Sequence, residues 1–180
     1  TLRLLGAHEA ALAPGAGGVS GAQASHVAWL AGHAGWFAEY WIARNTLRAQ
    51  GPACPPQPPR LASIEPHADR WWAWDASLPF APALPDLAST RAWLLETLET
   101  TLELLDKAPE TDEGLYFYRL ALFHEDALGE QLVEQAQTLG VALGLADLGA
   151  MAARAPLVVP ATRWELGSRP GGFVFDNEKW

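Results

Sequence analysis

Cysteine and basic charge are both scarce in this chain, long apolar runs are missing, and each shortage closes off a class of function. The single cysteine, Cys54, sits in the stretch Gly-Pro-Ala-Cys-Pro-Pro-Gln-Pro-Pro (51–59), so an internal disulfide framework is excluded and a reducing compartment suits the chain. Nothing cationic lies beside Cys54 in sequence to activate a thiolate, which marks it as an exposed bystander. Twelve Lys and Arg stand against twenty-one Asp and Glu, a net charge of −9. With no Lys/Arg-rich run, the electrostatic footprint of a nucleic-acid binder is missing. No apolar run approaches the ~20 residues needed to cross a bilayer, and no basic start precedes an apolar core near residue 1. The expectation is a soluble cytoplasmic protein with no nucleic-acid and no membrane partner.

What is present favours helices. Ala and Leu dominate, and nine Trp against three Tyr is an unusual ratio. A length of 180 residues suits one domain with the start of another. Residues 2–12 have helical spacing and run into a Gly-rich turn at 13–18. Val27, Leu30, Ala34, Phe37, Ala38 and Trp41 recur three and four apart, which predicts a long helix over 23–50 that Gly51-Pro52 breaks. Residues 51–85 hold nine of the fourteen prolines together with Trp71, Trp72 and Trp74, and read as a long crossover loop with a helical turn at 66–72.

A second long helix opens at Ser89-Thr90-Arg91 and runs to Asp106, with Leu94, Leu95, Leu98, Leu102 and Leu105 on one face. Thr111-Asp112-Glu113-Gly114 starts another, which continues from Tyr116 to Leu139 with Leu120, Phe123, Ala127, Leu128, Leu132 and Ala136 as its apolar positions, and Gly140 closes it. A short helix at 146–153 follows. After Pro156 the texture changes to short, Gly-punctuated, β-rich segments. The fold class is all-α: a helical bundle over 1–155, then a linker and the start of a β-rich domain over 156–180.

His26 and His33 lie seven apart, close to two full turns, and project along one stripe with Leu30 and Phe37. His124 shares a face with Leu120, Leu128 and Gln131. Inward-facing histidines and carboxylates on facing helices are how bundles build metal sites, but the residue four on from His124 is Leu128, which cannot ligate. A buried histidine pair without metal is the competing reading. His8 and His67 read as packing or surface residues. Trp71, Trp72 and Trp74 either offer ring faces to a cationic ligand or plug one end of the bundle. Glu96, Glu99, Glu103 and Asp106 are spaced as a solvated helix face.

Four stretches together resemble the iron-dependent sulfoxide synthases of the ergothioneine/selenoneine type. Leu30-Ala31-Gly32-His33-Ala34-Gly35-Trp36-Phe37 resembles their Leu-x-x-His-x-x-Trp-Phe motif. Leu120-Ala121-Leu122-Phe123-His124-Glu125-Asp126, with Gly129-Glu130 behind it, resembles their His-Glu-x-x-His-x-Glu helix, and Thr138-Leu139-Gly140 closes the same block. Phe173-Val174-Phe175-Asp176-Asn177-Glu178-Lys179-Trp180 resembles the signature that opens their formylglycine-generating-enzyme-like domain. Tyr116-Phe117-Tyr118 and Phe-His-Glu-Asp look closer to the selenoneine branch.

The resemblance implies a DinB-like four-helix bundle with a Pro/Trp-rich crossover, cut where the second domain begins. It implies Fe(II) as cofactor, and N-trimethylhistidine with a thiol or selenol donor as small-molecule partners, coupled at the imidazole C2. His33 would be the first metal ligand and His124 the second; the third family histidine falls at Leu128. Water, Glu125 or Glu130 would have to take that place, and Glu130 also matches the family carboxylate that orients a ligand. His26 stands about 10 Å of helical rise from His33, too far to share one ion. Two alternatives stay open: a DinB-like thiol transferase using another divalent metal, and a non-catalytic bundle kept for packing or dimerisation.

Overall fold

The computed structural model of the chain describes residues 1–12, 21–74, 84–144, 154–163, 165–168 and 172–175. Two units are distinguished, Thr1–Leu143 and Gly144–Trp180. The first is all-helical: α1 (Leu2–Leu12), α2 (Gly21–Ala38), a π-helical turn (Glu39–Ala43), a 3-10 turn (Arg48–Ala53), α3 (Ala68–Trp72), α4 (Leu87–Asp106) and α5 (Asp112–Leu139). Four long helices and a crossover loop bearing one short helix agree with the bundle expected from periodicity. No described helix is long and apolar enough to cross a membrane.

Helix α2 is the hub, packing against α1, α3, α4 and α5, whereas α4 and α5 make little contact with each other despite their short connection. Small residues let its neighbours come close. A Cβ on Gly35 would lie 2.5 Å from Leu94 Cδ2, and one on Gly32 would lie within the indole of Trp72. The core gathers Leu5, Val27, Leu30, Trp72, Trp93, Leu94, Leu128 and Leu132.

Local chemistry sets most boundaries. Asp86 caps α4 by accepting from Ser89 N at 2.7 Å, so that helix begins ahead of Ser89, because a carboxylate satisfies a free N–H better than the Ser-Thr pair could from within the first turn. The Thr111 hydroxyl accepts from Gly114 N at 3.0 Å and caps α5. Gly140, at φ 66°, ends α5 in the left-handed conformation that glycine tolerates. The helix predicted over 23–50 is shorter than its periodicity suggested. Its last turn widens, Arg44 N donating to Glu39 O at 2.9 Å, and the chain then leaves helical geometry. The Asn45 side chain accepts from Leu47 N at 2.9 Å, a local bond that competes with the helix ladder.

The apolar row of α4 is rotated by about 100° from the sequence reading, of which Leu94 alone is buried. Thr90, Trp93, Leu94 and Thr97 are its buried residues, while Leu95, Leu98, Leu102 and Leu105 are exposed. The close approach at Gly35 fixes the rotation, since it brings Trp93 and Leu94 against α2. Phe123 on α5 is also exposed. In the second unit, Leu157, Val158, Val159 and Leu166 are exposed, and no strand is formed among the described residues. The Gly-rich turn at 13–18, the short helix expected at 146–153 and residues 176–180 of the signature lie outside the described residues.

Two glycines separate packing from propensity. Gly32→Ala drives a methyl into Trp72 and is expected to cost about 1–3 kcal/mol. Gly129→Ala, whose Cβ would find only Leu4 Cδ1 at 3.8 Å, should be neutral or stabilise by up to about 1 kcal/mol. Thermal unfolding of the two variants beside the parent chain checks both.

Candidate functional site

Helical spacing on α2 builds a column of rings. Trp29, His33, Trp36 and Tyr40 are four, three and four residues apart and so fall on one stripe. His33 stacks on Trp29 at a centroid distance of 4.6 Å and on Trp36 at 5.3 Å, and Trp36 stacks on Tyr40 at 4.7 Å. The guanidinium of Arg60 closes the column, 3.6 Å from the Tyr40 ring centre. A second row runs alongside, with Phe37 stacked on His124 at 3.8 Å, and Trp41 stacked on Phe117 at 5.4 Å.

The two rows bring the histidines together. The His33 and His124 rings meet edge to face with centroids 5.1 Å apart, on helices that the sequence separates widely. His33 is buried, and its Nδ1 is 2.6 Å from the carbonyl oxygen of Trp72. A carbonyl only accepts, so Nδ1–H donates and Nε2 keeps the lone pair. That backbone anchor is the arrangement that commonly orients a metal-binding imidazole. The Nε2 of His124 is buried without a hydrogen-bond partner among the described residues.

Electrostatics keeps both rings neutral. Burial lowers the His33 pKa despite the opposing effect of the Trp72 carbonyl. Burial, and then the nearby His33, push His124 down to about 4. Trp36 is held by donating Nε1–H to Asp69 Oδ1 at 2.7 Å. Asp69 in turn receives a bidentate pair from Arg44 at 2.6 and 2.9 Å, and that hydrogen bonding keeps its carboxyl below the usual range.

The remaining sequence candidates do not join the pair. Leu128 is buried in the aliphatic core. Glu125 points elsewhere, its Oε1 3.1 Å from the Thr1 amino group. Glu130 is exposed, about 120° around α5 from His124. His26 is half-buried on the same stripe as His33, two turns away along α2. His8 is buried with Nε2 3.0 Å from the Leu132 carbonyl, and the exposed His67 pairs with Glu65 at 2.9 Å. Among the described residues, no three His, Cys, Asp or Glu side chains gather as a metal group. The donor set therefore does not make up a three-histidine iron centre among the described residues. Of the tryptophans in the crossover loop, Trp72 is buried and stacks on Trp93 at 4.2 Å. Trp74 is exposed and lies edge-on to Trp29 at 5.7 Å.

Sequence reasoning missed two parts of the site. The ring column was visible as Trp29, Trp36 and Tyr40 at helical spacing around His33; the sequence reading named Phe37, which does touch His33, but set Leu30 on the stripe in place of the other rings. The Trp72 carbonyl had no signal, because a backbone acceptor carries no residue identity. No family model matches the chain, and no curated protein matches it.

The lowered histidine pKa values make stability depend on pH. In the unfolded chain both imidazoles protonate near 6.5; in the fold they resist protonation, so the folded state binds fewer protons at mildly acidic pH. Stability is fully present above pH 6.5 and falls as the pH drops toward about 4 for His124. Urea midpoints should therefore drop between pH 7.5 and 5, and His124→Phe should flatten that slope. An unchanged slope in the variant would show that His124 is not the group responsible.

Proposed function

We propose that this chain is the helical amino-terminal part of an oxidative synthase of the ergothioneine/selenoneine type, which couples a thiol or selenol to C2 of N-trimethylhistidine, and that its metal centre is reduced to the His33–His124 pair. The convergence of those two rings, one bonded to a backbone carbonyl and the other with an unpartnered buried nitrogen, carries this reading. Two histidines picked out by separate motif resemblances need not have met in space. The exposed Trp74 beside Trp29 supports it further, because indole faces near an imidazole pair suit a quaternary ammonium group.

In such enzymes an iron ion supplies oxygen activation. The residues of this chain hold two neutral imidazoles in fixed orientation and keep water from them with stacked rings. Leu128 favours a second reading: a bundle retained for packing alone, with the same architecture and no chemistry. The thiol-transferase alternative needs the same three-histidine set and suffers equally from Leu128, but it leaves the sequence from Phe173 to Trp180 without an account.

Anaerobic Fe(II) titration of the parent chain, Leu128→His and His33→Ala separates these readings. The expected result is weak binding by the parent, a gain of at least about tenfold in affinity for Leu128→His, and loss in His33→Ala. No gain from the restored histidine, in a variant that remains helical, would mean the nitrogens do not converge on one ion, leaving the packing bundle as the reading.

A further inference from the structure

Behind the histidine pair, on the opposite side of α2, lies a cavity of about 390 Å³ whose walls include Ala34, Gly35, Ala38, Leu98, Tyr118 and Leu122. It exists because α2 packs against both α4 and α5 while those two make little contact with each other. The small residues of α2 form one wall without filling it. Leu94, Leu98, Thr101 and Leu105 line it on successive turns of α4, a length of about 16 Å at the helical rise. The cavity is long and narrow in consequence, and mostly apolar.

Hydroxyls of Thr1, Thr97, Thr101 and Tyr118 break the apolar surface, and of these Thr1, Thr97 and Tyr118 are buried without a partner among the described residues. Thr97, 2% exposed, lines the cavity, and its Oγ1 has no hydrogen-bond partner among the described residues. A helical threonine ordinarily donates to the carbonyl four residues back. Thr100, Thr101 and Thr138 all do so here, at 3.0, 2.8 and 3.1 Å. Thr97 does not, and the hydroxyl of Tyr118 on the facing helix is buried and unpartnered as well. A buried hydroxyl without a partner costs about 1–3 kcal/mol, which a ligand acceptor would recover.

We propose that this cavity is a binding site for an uncharged linear aliphatic molecule of about ten to twelve carbons with one hydroxyl or carbonyl group, its oxygen held by Thr97 and Tyr118. Charge selects against a carboxylate. Both cationic groups of the lining are already paired, the Arg119 guanidinium with Asp112 at 2.6 Å and the Thr1 amino group with Glu125 at 3.1 Å. An added anion would be desolvated there with no unpaired cation to balance it. The site is separate from the histidine pair: counted at 100° per residue, Ala34 and Ala38 lie about 100° and 140° around α2 from His33.

Equilibrium dialysis of the whole chain with decan-1-ol at micromolar concentration tests this, with decanoate as the charged counterpart. One saturable site is expected, and decanoate should bind more weakly. Thr97→Val with Tyr118→Phe should weaken decanol binding at least about fivefold with helicity retained, and Ala38→Leu, which fills the cavity, should abolish it. Ala121→Leu repeats the block from α5 if Ala38→Leu does not fold. Non-saturable uptake, or saturable binding indifferent to the filling variants, would place the alcohol outside the cavity, on exposed residues such as Leu95 and Leu102, and overturn the proposal. So would tighter binding of decanoate.

Discussion

Trp72 enters the bundle at a point where α2 presents no side chain. The indole occupies the space a Cβ on Gly32 would need, stacks on Trp93 of α4, and places its own carbonyl where the His33 imidazole can donate to it. One residue thus joins the crossover loop, α2 and α4. The orientation of His33 depends on that junction, and the meeting of His33 with His124 depends on the orientation. The Arg44–Asp69–Trp36 chain of hydrogen bonds is a second tie between the same loop and the same helix, one turn along. A long proline-rich connection is ordinarily the part of a bundle that matters least to its centre. Here it supplies the atom that sets the tautomer of the buried ring.

Only some of the boundaries that local chemistry decides were legible in the sequence: the Asp86 cap of α4 and the Asn45 bond that ends the long helix early were not. Thr111 and Gly140 announce the two ends of α5, and both act as the residue types require. The rotation of α4 was not legible, because its leucines form a clean stripe while the residues that turn inward, Thr90, Trp93, Leu94 and Thr97, form a less apolar one beside it. Periodicity identifies a stripe but not which of two adjacent stripes a neighbour selects. That selection was made at Gly35, on another helix, where close approach admits Trp93 and Leu94. At the site, His33 and His124 were singled out from the residues around them; of the companions read for His33, Phe37 meets its ring edge-on, while Leu30 turns into the core.

Helix α2 separates two environments of opposite character. One side carries the ring column, with neutral imidazoles and a dense set of stacked aromatic faces. The other carries Ala34, Gly35 and Ala38 and leaves room between α4 and α5. Both follow from one sequence of eighteen residues in which large aromatic and small residues alternate at helical spacing. Trp29, Trp36, Trp41 and Trp74 gather on the first side, and Leu98 and Leu105 of α4 border the second.

The π-helical turn at Glu39–Ala43 has a consequence for how the loop is held. Adding a residue to a turn lags everything after it by most of a side-chain position. It is at this turn that the neighbours Tyr40 and Trp41 come within reach of a single guanidinium, with Arg60 3.6 Å from one ring centre and 4.9 Å from the other. The widened turn works as a clasp, closed by a charge from the first part of the crossover. Its fit is set by how many residues the turn contains, so a one-residue change in length there would unfasten the loop while altering none of the residues that touch the histidines.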